Sequence, residues 1–190
     1  MKNLIISFGI GLALSACTGS SPAVKTASSM GDQPEWIQNG GRYEKGLGAL
    51  GTSADSGLGT QVQREDALLS ARNDLAKAMD SKIQSAISQT RQRLIEQGIA
   101  GASELGTLQT QNTARQMVNT RIKNSPMIKQ WKDSANGELT VWVIINQEDL
   151  DRMQSDVLGK VVRKQLKDAD KKHDDTIKNT FNEEFEKQFQ

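Results

Sequence analysis

The sequence has 190 residues with 24 lysines and arginines against 23 aspartates and glutamates, which leaves a formal net charge of +1. This near balance provides no extended positive field, so a nucleic-acid partner is not expected. The chain has a single cysteine and a single histidine, which excludes an internal disulfide and a zinc site built from several cysteines.

The N-terminal residues have the pattern of a bacterial export signal. Lys2 supplies the positive charge, and the apolar run that starts at Leu4 is too short to be a permanent membrane span. The run ends in the tetrapeptide Leu14-Ser15-Ala16-Cys17, which resembles a lipobox. This resemblance implies that residues 1–16 are removed and that Cys17 carries a diacylglycerol and an N-acyl chain as a membrane anchor. The alternative is a plain secretory signal with a chance cysteine.

Residues 17–33 are predicted to be a flexible tether. They are rich in Ser, Gly, Ala and Thr and contain too little apolar surface to fold. Thr18 stands where an aspartate would favour retention in the inner membrane of the best-studied bacteria. By that resemblance, the anchored protein is expected at the outer membrane, facing the periplasm.

Residues 34–150 are predicted to form an α+β domain. A glycine-rich strand extends from Tyr43 to Ser53, with Tyr43, Leu47 and Ala49 on one face. An apolar stripe then predicts a long helix over residues 61–97, for which Thr60 and Gln63 form a candidate capping box. The stripe consists of Leu68, Ala71, Leu75, Met79, Ile83, Ala86 and Leu94.

A second helix and a hairpin complete this domain. Gly98 and Gly101 end the long helix, and a weaker helical pattern follows and stops before Pro126. The second pattern consists of Ala114, Met117, Val118 and Ile122. Strands over 127–132 and 139–145 flank an Asn-Gly turn signal. The predicted fold is a three-stranded antiparallel sheet on a long helix, in β-α-α-β-β order. The last strand is apolar on both faces, so we expect the second helix or another subunit to cover the far side.

Residues 151–190 are predicted to form a long, charged C-terminal helix, whose first turn begins near Gln147 and is capped by Asn146. Its middle, from 164 to 175, is almost entirely charged and must stay in solvent. Beyond it, apolar side chains recur every four residues, at Ile177, Phe181, Phe185 and Phe189. We expect this stripe, together with Trp142, to contact another chain; the alternative is that it folds back onto its own domain.

Few residues suggest chemistry. Residues 46–51 match the dinucleotide pattern G-x-G-x-x-G, but the predicted helix starts too late to receive a pyrophosphate, so close packing of strand and helix is favoured and no nucleotide is expected. His173 lies in a charged segment without further metal ligands nearby. Arg72 is a candidate for an internal salt bridge or for capping a sheet edge, and a solvent-facing position is the alternative. No nucleophile motif is present, so neither an enzyme nor a cofactor is expected, although the acidic residues leave a carboxylate pair open.

Several segments resemble the Lpp-twenty lipoprotein family, which includes the FlgP-type flagellar lipoproteins. They are Pro34-Glu35-Trp36-Ile37, Leu50-Gly51-Thr52-Ser53-Ala54, Ala67-x-x-x-Ala71-Arg72-x-x-Leu75-Ala76, Trp131-x-Asp133, Gly137 and Val141-Trp142-Val143. The resemblance covers about residues 34–146, and it leaves 98–113 and the tail after Asp151 unmatched.

The resemblance implies a non-catalytic α+β domain at the outer membrane, assembled in some members into rings or discs around the flagellar motor. The expected function is therefore that of a structural lipoprotein that self-assembles or binds an envelope partner. The alternative is a periplasmic regulatory module that activates a cell-wall enzyme.

Overall fold

The computed structural model describes residues 33–166 and 173–190. The predicted signal segment, the lipobox with Cys17, and residues 17–32 of the predicted tether lie outside the described residues. The helices are α1 (Glu35–Gln38), α2 (Thr60–Glu96), α3 (Leu108–Lys123), α4 (Gln147–Val157), α5 (Arg163–Gln165) and α6 (Asp174–Phe189). The strands are β1 (Gly46–Ser53), β2 (Met127–Lys132) and β3 (Leu139–Asn146), with a 3₁₀ turn at Ala102–Gly106 and a π-helical turn at Leu158–Val162.

The three strands form one antiparallel sheet in the order β1-β3-β2. The hairpin prediction is confirmed, since β2 and β3 pair directly and the loop between them contains Gly137 at a φ of +72°. β1 pairs along the other edge of β3, with Ala49 opposite Val143. The α+β fold class and the long helix over the sheet are therefore as the sequence predicted.

The long helix α2 packs on one face of the sheet, with the predicted apolar stripe in the core. Gly51 is the point of closest approach, because a Cβ atom built there would lie 2.8 Å from the Cα atom of Ala71. Residues 46–51 thus lie within β1, and the absence of a side chain at Gly51 lets the two backbones meet. The packing interpretation of the glycine pattern is confirmed.

The capping box predicted at the start of α2 is wrong. The residue before the helix is Gly59, with no side-chain cap, and Gln63 turns into the protein instead. Its Nε2 donates hydrogen bonds to the carbonyl oxygens of Ser53 (3.0 Å) and Gly137 (2.7 Å). Gln63 therefore links the end of β1 to the hairpin loop, because two partly buried carbonyls there need a donor.

The C-terminal region is helical as predicted, but it divides into α4, α5 and α6. Asn146 caps α4 through a 2.9 Å hydrogen bond from the backbone N–H of Asp149. The predicted domain boundary between residues 150 and 151 falls inside α4, and side chains from both sides of it join one core. An ion pair of 2.6 Å between Arg163 and Asp174 connects the start of α5 with the start of α6.

The stripe predicted to contact another chain is instead buried in this one. Ile177, Phe181 and Phe185 are at most 3% exposed, and Phe189 is partly buried against the same core. The prediction of an exposed stripe is thus wrong, and the alternative of folding back is what the structure has. The physical reason is that α6 lies antiparallel to α2 and covers apolar surface that the sheet leaves open.

Candidate functional site: the aromatic face of the sheet

The sheet face that points away from α2 carries the aromatic residues. Trp142 on β3 lies on this face, and Lys129 on β2 is paired opposite it. Trp131 on β2 pairs with Thr140 and lies on the same face, two residues further along the strand. Trp36 and Tyr43 reach the same face from residues 33–45, which precede β1 and form the N-terminal segment of the described domain. All three tryptophans of the chain and its only tyrosine therefore cluster here. We call this surface, made by Trp36, Tyr43, Trp131 and Trp142, the aromatic face.

Trp142 is the centre of the aromatic face. Its ring stacks on Trp36 with a centroid distance of 5.9 Å, and the ring of Tyr43 meets it edge-on at 6.1 Å. Its Nε1 donates a 2.8 Å hydrogen bond to the carbonyl oxygen of Gly41. A Cβ at Gly48 would lie 2.7 Å from that nitrogen, so glycine leaves room for the indole. These contacts satisfy the polar end of a buried indole while its rings pack.

This arrangement corrects two sequence-based predictions. Tyr43 does not share a face with Leu47 and Ala49, since β1 begins only at Gly46 and Tyr43 packs on Trp142. Trp142 is covered by the N-terminal segment of its own chain and not by the second helix. The Pro-Glu-Trp-Ile motif that begins at residue 34 supplies Trp36. Its local sequence does not indicate which residue this tryptophan packs against.

A cleft of about 420 Å³ opens between the N-terminal segment and β2, against Trp36, Tyr43 and Trp142. Its rim is charged, with the cations Arg42, Lys45 and Lys129 and the carboxylates Glu35 and Glu44. In the part of the chain that the structure describes, none of these five side chains forms an ion pair. The Lys129 ammonium instead lies 5.6 Å from the Trp142 ring centroid, a cation–π contact. The cleft can thus accept a flat apolar group beside a charged one.

A second cleft, of about 530 Å³, lies between α3 and α4. Arg121 reaches two carboxylates there, at 3.4 Å from Asp149 and 3.5 Å from Asp156, and Lys160 approaches Asp156 to 2.8 Å. Because these carboxylates already face cations, the cleft has a polar, internally paired rim. No local sequence pattern indicates this cleft, since its walls come from separate helices.

The other predicted residues are placed as follows. Arg72 donates from Nη2 to the carbonyl oxygen of Ser125 (2.9 Å), just before β2, which agrees with the sheet-edge cap. Its Nε is buried without a hydrogen-bond partner. His173 stands directly before α6. Within residues 33–166 and 173–190, no group of three or more His, Cys, Asp or Glu side chains is placed to hold a metal ion.

Two general findings complete the description of the site. None of the helices in the described ranges combines the length and the apolar character needed to cross a bilayer. The chain matches no protein-family model, no curated protein and no solved structure. The similarity to the Lpp-twenty family therefore stays a prediction, supported by sequence motifs within residues 34–146.

Proposed function

We propose that this protein is an outer-membrane lipoprotein with a structural role, anchored through Cys17 and assembled with further copies of itself or with another envelope protein. Flagellar or motility structures are the setting that the family resemblance implies. The observations that support this proposal most are the lipobox pattern that ends at Cys17 and the folded α+β domain that follows it along the chain. A folded domain at the end of a lipidated tether is suited to assembly close to a membrane surface.

The side chains of the folded part support a structural role rather than catalysis. The interior is a single apolar cluster shared by α2, α3, α4, α6 and the sheet. The charged groups of the larger cleft pair with one another, as Arg121 does with Asp149 and Asp156. A general base or nucleophile needs a partly unsatisfied group, which the paired charges of this larger cleft do not provide.

Because α6 is part of the core, the assembly surface must lie elsewhere. The largest exposed apolar side chains near the start of α2 are Leu58 and Leu69, at 73% and 60% exposed, with Val62 between them at 38%. Val62 and Leu69 are seven residues apart, so they share one face of the helix. We propose that this stripe, Leu58, Val62 and Leu69, forms the contact between copies.

The test uses the full-length protein purified in detergent from bacteria. Mass spectrometry of the N-terminal peptide is expected to show the diacylglycerol and the N-acyl chain on Cys17, and a Cys17→Ser variant is expected to leave the membrane fraction. Light scattering is expected to give a large symmetric oligomer for the wild type and a monomer for the double variant Leu58→Gln, Leu69→Gln. Leu108→Gln is the matched control, since Leu108 is 77% exposed on α3 and its change should leave the oligomer intact.

The alternative, a module that activates a cell-wall enzyme, draws support from the cleft between α3 and α4, whose polar rim fits a protein or peptide contact. An activator is expected to remain a monomer at all concentrations and to bind one enzyme molecule. A monomeric wild type with acylated Cys17 would therefore favour the activator and contradict self-assembly. An unmodified Cys17 would contradict both functions.

A further inference from the structure

The aromatic residues of this protein are unevenly distributed. Trp36, Tyr43, Trp131 and Trp142 all belong to the aromatic face, while the main core on the other side of the sheet contains neither tryptophan nor tyrosine in the described residues. Trp and Tyr combine an apolar ring with a polar N–H or O–H group, and they are enriched where a protein meets lipid headgroups. The main core buries aliphatic side chains together with Phe181 and Phe185, so burial alone does not require the polar N–H and O–H groups of Trp and Tyr.

The rim of the aromatic face carries exposed cations and carboxylates. The side chains of Arg42, Lys45 and Lys129 are exposed and form no ion pair in the described parts of the chain. Cations at the edge of a headgroup layer can contact lipid phosphates. Glu35 and Glu44 are exposed on the same rim, where they can meet the ammonium group of phosphatidylethanolamine.

The predicted tether joins the domain on the side that carries the aromatic face. The first described residues, Gln33 and Pro34, lead straight into Trp36 on the aromatic face. If residues 17–33 are the flexible tether that the sequence predicts, their typical reach is about 20–25 Å. The long helix α2 alone, with 37 residues, is about 55 Å long. A tether of that reach therefore brings the side of the domain that carries Trp36 to the bilayer most readily.

We infer that the aromatic face lies against the headgroup layer of the membrane that holds Cys17. Trp36 and Tyr43 lie at headgroup level, and Arg42, Lys45 and Lys129 contact lipid phosphates. This inference rests on the proposed anchoring at Cys17, and it adds a fixed orientation of the domain that a lipid anchor alone does not impose. The domain then presents α2 and α6 to the periplasm, where another protein can reach the stripe Leu58, Val62 and Leu69.

The experiment uses the acylated full-length protein in vesicles of phosphatidylethanolamine and phosphatidylglycerol whose acyl chains carry bromine. Because all three tryptophans are on the aromatic face, their intrinsic fluorescence reports its distance from the lipid. We expect a loss of fluorescence relative to unbrominated vesicles, larger for bromines near the headgroups than for bromines near the bilayer centre.

Matched charge variants separate contact by this face from simple proximity. The triple variant Arg42→Gln, Lys45→Gln, Lys129→Gln is expected to lose most of the quenching. The control triple variant Lys123→Gln, Lys164→Gln, Lys178→Gln removes the same number of exposed positive charges from α3, α5 and α6, and it should quench like the wild type. Near-ultraviolet circular dichroism of both variants verifies that the aromatic packing is retained, and the wild-type measurement decides the inference if a variant misfolds.

The possible results separate the two proposals. An acylated protein whose tryptophans are not quenched would overturn the inference while leaving the anchor in place, and the aromatic face would then be available to a protein partner. Equal loss of quenching in both triple variants would also overturn it. The overall positive charge of the domain, and not the cations of this face, would then keep the domain at the membrane. An unmodified Cys17 would overturn the inference together with the proposed function.

Discussion

Arg93 on α2 donates a 2.7 Å hydrogen bond from Nη1 to Oε1 of Glu184 on α6, although the Glu184 side chain is only 4% exposed. The same carboxylate oxygen accepts a 2.9 Å bond from Lys187. Two cations thus compensate one buried carboxylate, which makes its position on α6 specific. This contact aligns α6 with the second half of α2 and holds the phenylalanine stripe against the core.

Replacing Glu184 with glutamine keeps its size but removes the charge. We expect the free energy of unfolding to fall by about 1–2 kcal/mol, because charge-assisted hydrogen bonds become neutral ones. Urea denaturation followed by far-ultraviolet circular dichroism measures the change. Glu183→Gln is the control, since Glu183 meets the same Arg93 from a position that is 56% exposed, and a surface pair contributes only about 0–1 kcal/mol. Equal losses in both variants would contradict the importance of burial.

The pH dependence of stability follows from the same residue. Burial alone raises the pKa of Glu184, but the hydrogen bonds from Lys187 and Arg93 outweigh it, so the pKa lies below its ordinary value of 4.5. A carboxyl group whose pKa is lowered on folding contributes stability that is complete above its unfolded pKa and is lost as pH falls through the folded pKa. The stability difference between wild type and Glu184→Gln is therefore expected to be constant near neutral pH and to shrink below about pH 4.5. A difference that grows on acidification would show the opposite sign.

Gly51→Ala tests the close approach of β1 to α2. The new methyl group would lie 2.8 Å from the Cα atom of Ala71, so the strand and helix must separate. Overpacking of this kind typically costs about 1–3 kcal/mol, measurable by urea denaturation. Gly159→Ala is the matched control, because a Cβ there meets nothing within 4 Å, and its effect is expected to stay within about 1 kcal/mol. A fully stable Gly51→Ala protein would show that the helix does not contact the strand this closely.

Gln63→Ala removes the donor for the carbonyl groups of Ser53 and Gly137. We expect a loss of about 1–3 kcal/mol, because two partly buried acceptors would lose their donor and a buried side chain would be truncated. Amide hydrogen exchange in the loop between β2 and β3 should also become faster. The comparison variant is Gln61→Ala, whose side chain is exposed and bonds to Glu65 on the helix surface. Similar losses in both variants would contradict the proposed link between β1 and the hairpin loop.

The elements that the sequence predicted correctly are those specified by local signals. The spacing of Leu75, Met79 and Ile83 predicts α2 because a helix brings every third or fourth residue to one face. The Asn-Gly pair at 136–137 predicts the hairpin, and Asn146 predicts the start of α4, because turn and cap geometry involve only a few neighbouring residues.

The candidate site could be predicted only in part. Trp142 was recognised as a side chain in need of cover, but its cover, Trp36, lies more than a hundred positions earlier in the sequence. The same limit explains the capping error at Gln63, whose partners at Ser53 and Gly137 are distant from it and from each other along the chain. Local patterns do not specify which distant backbone groups will need a donor.

The sequence alone determined which side of each element is apolar, since that depends on the repeat of side chains along a helix or strand. It also provided the whole basis for predicting the lipid anchor. Only the tertiary structure decided what each apolar side packs against. The hydrophobic effect is non-directional, so any apolar surface of suitable shape can bury that side. The stripe that contains Phe181 and Phe185 could therefore have packed against another chain. In the folded protein it packs against α2 of the same chain.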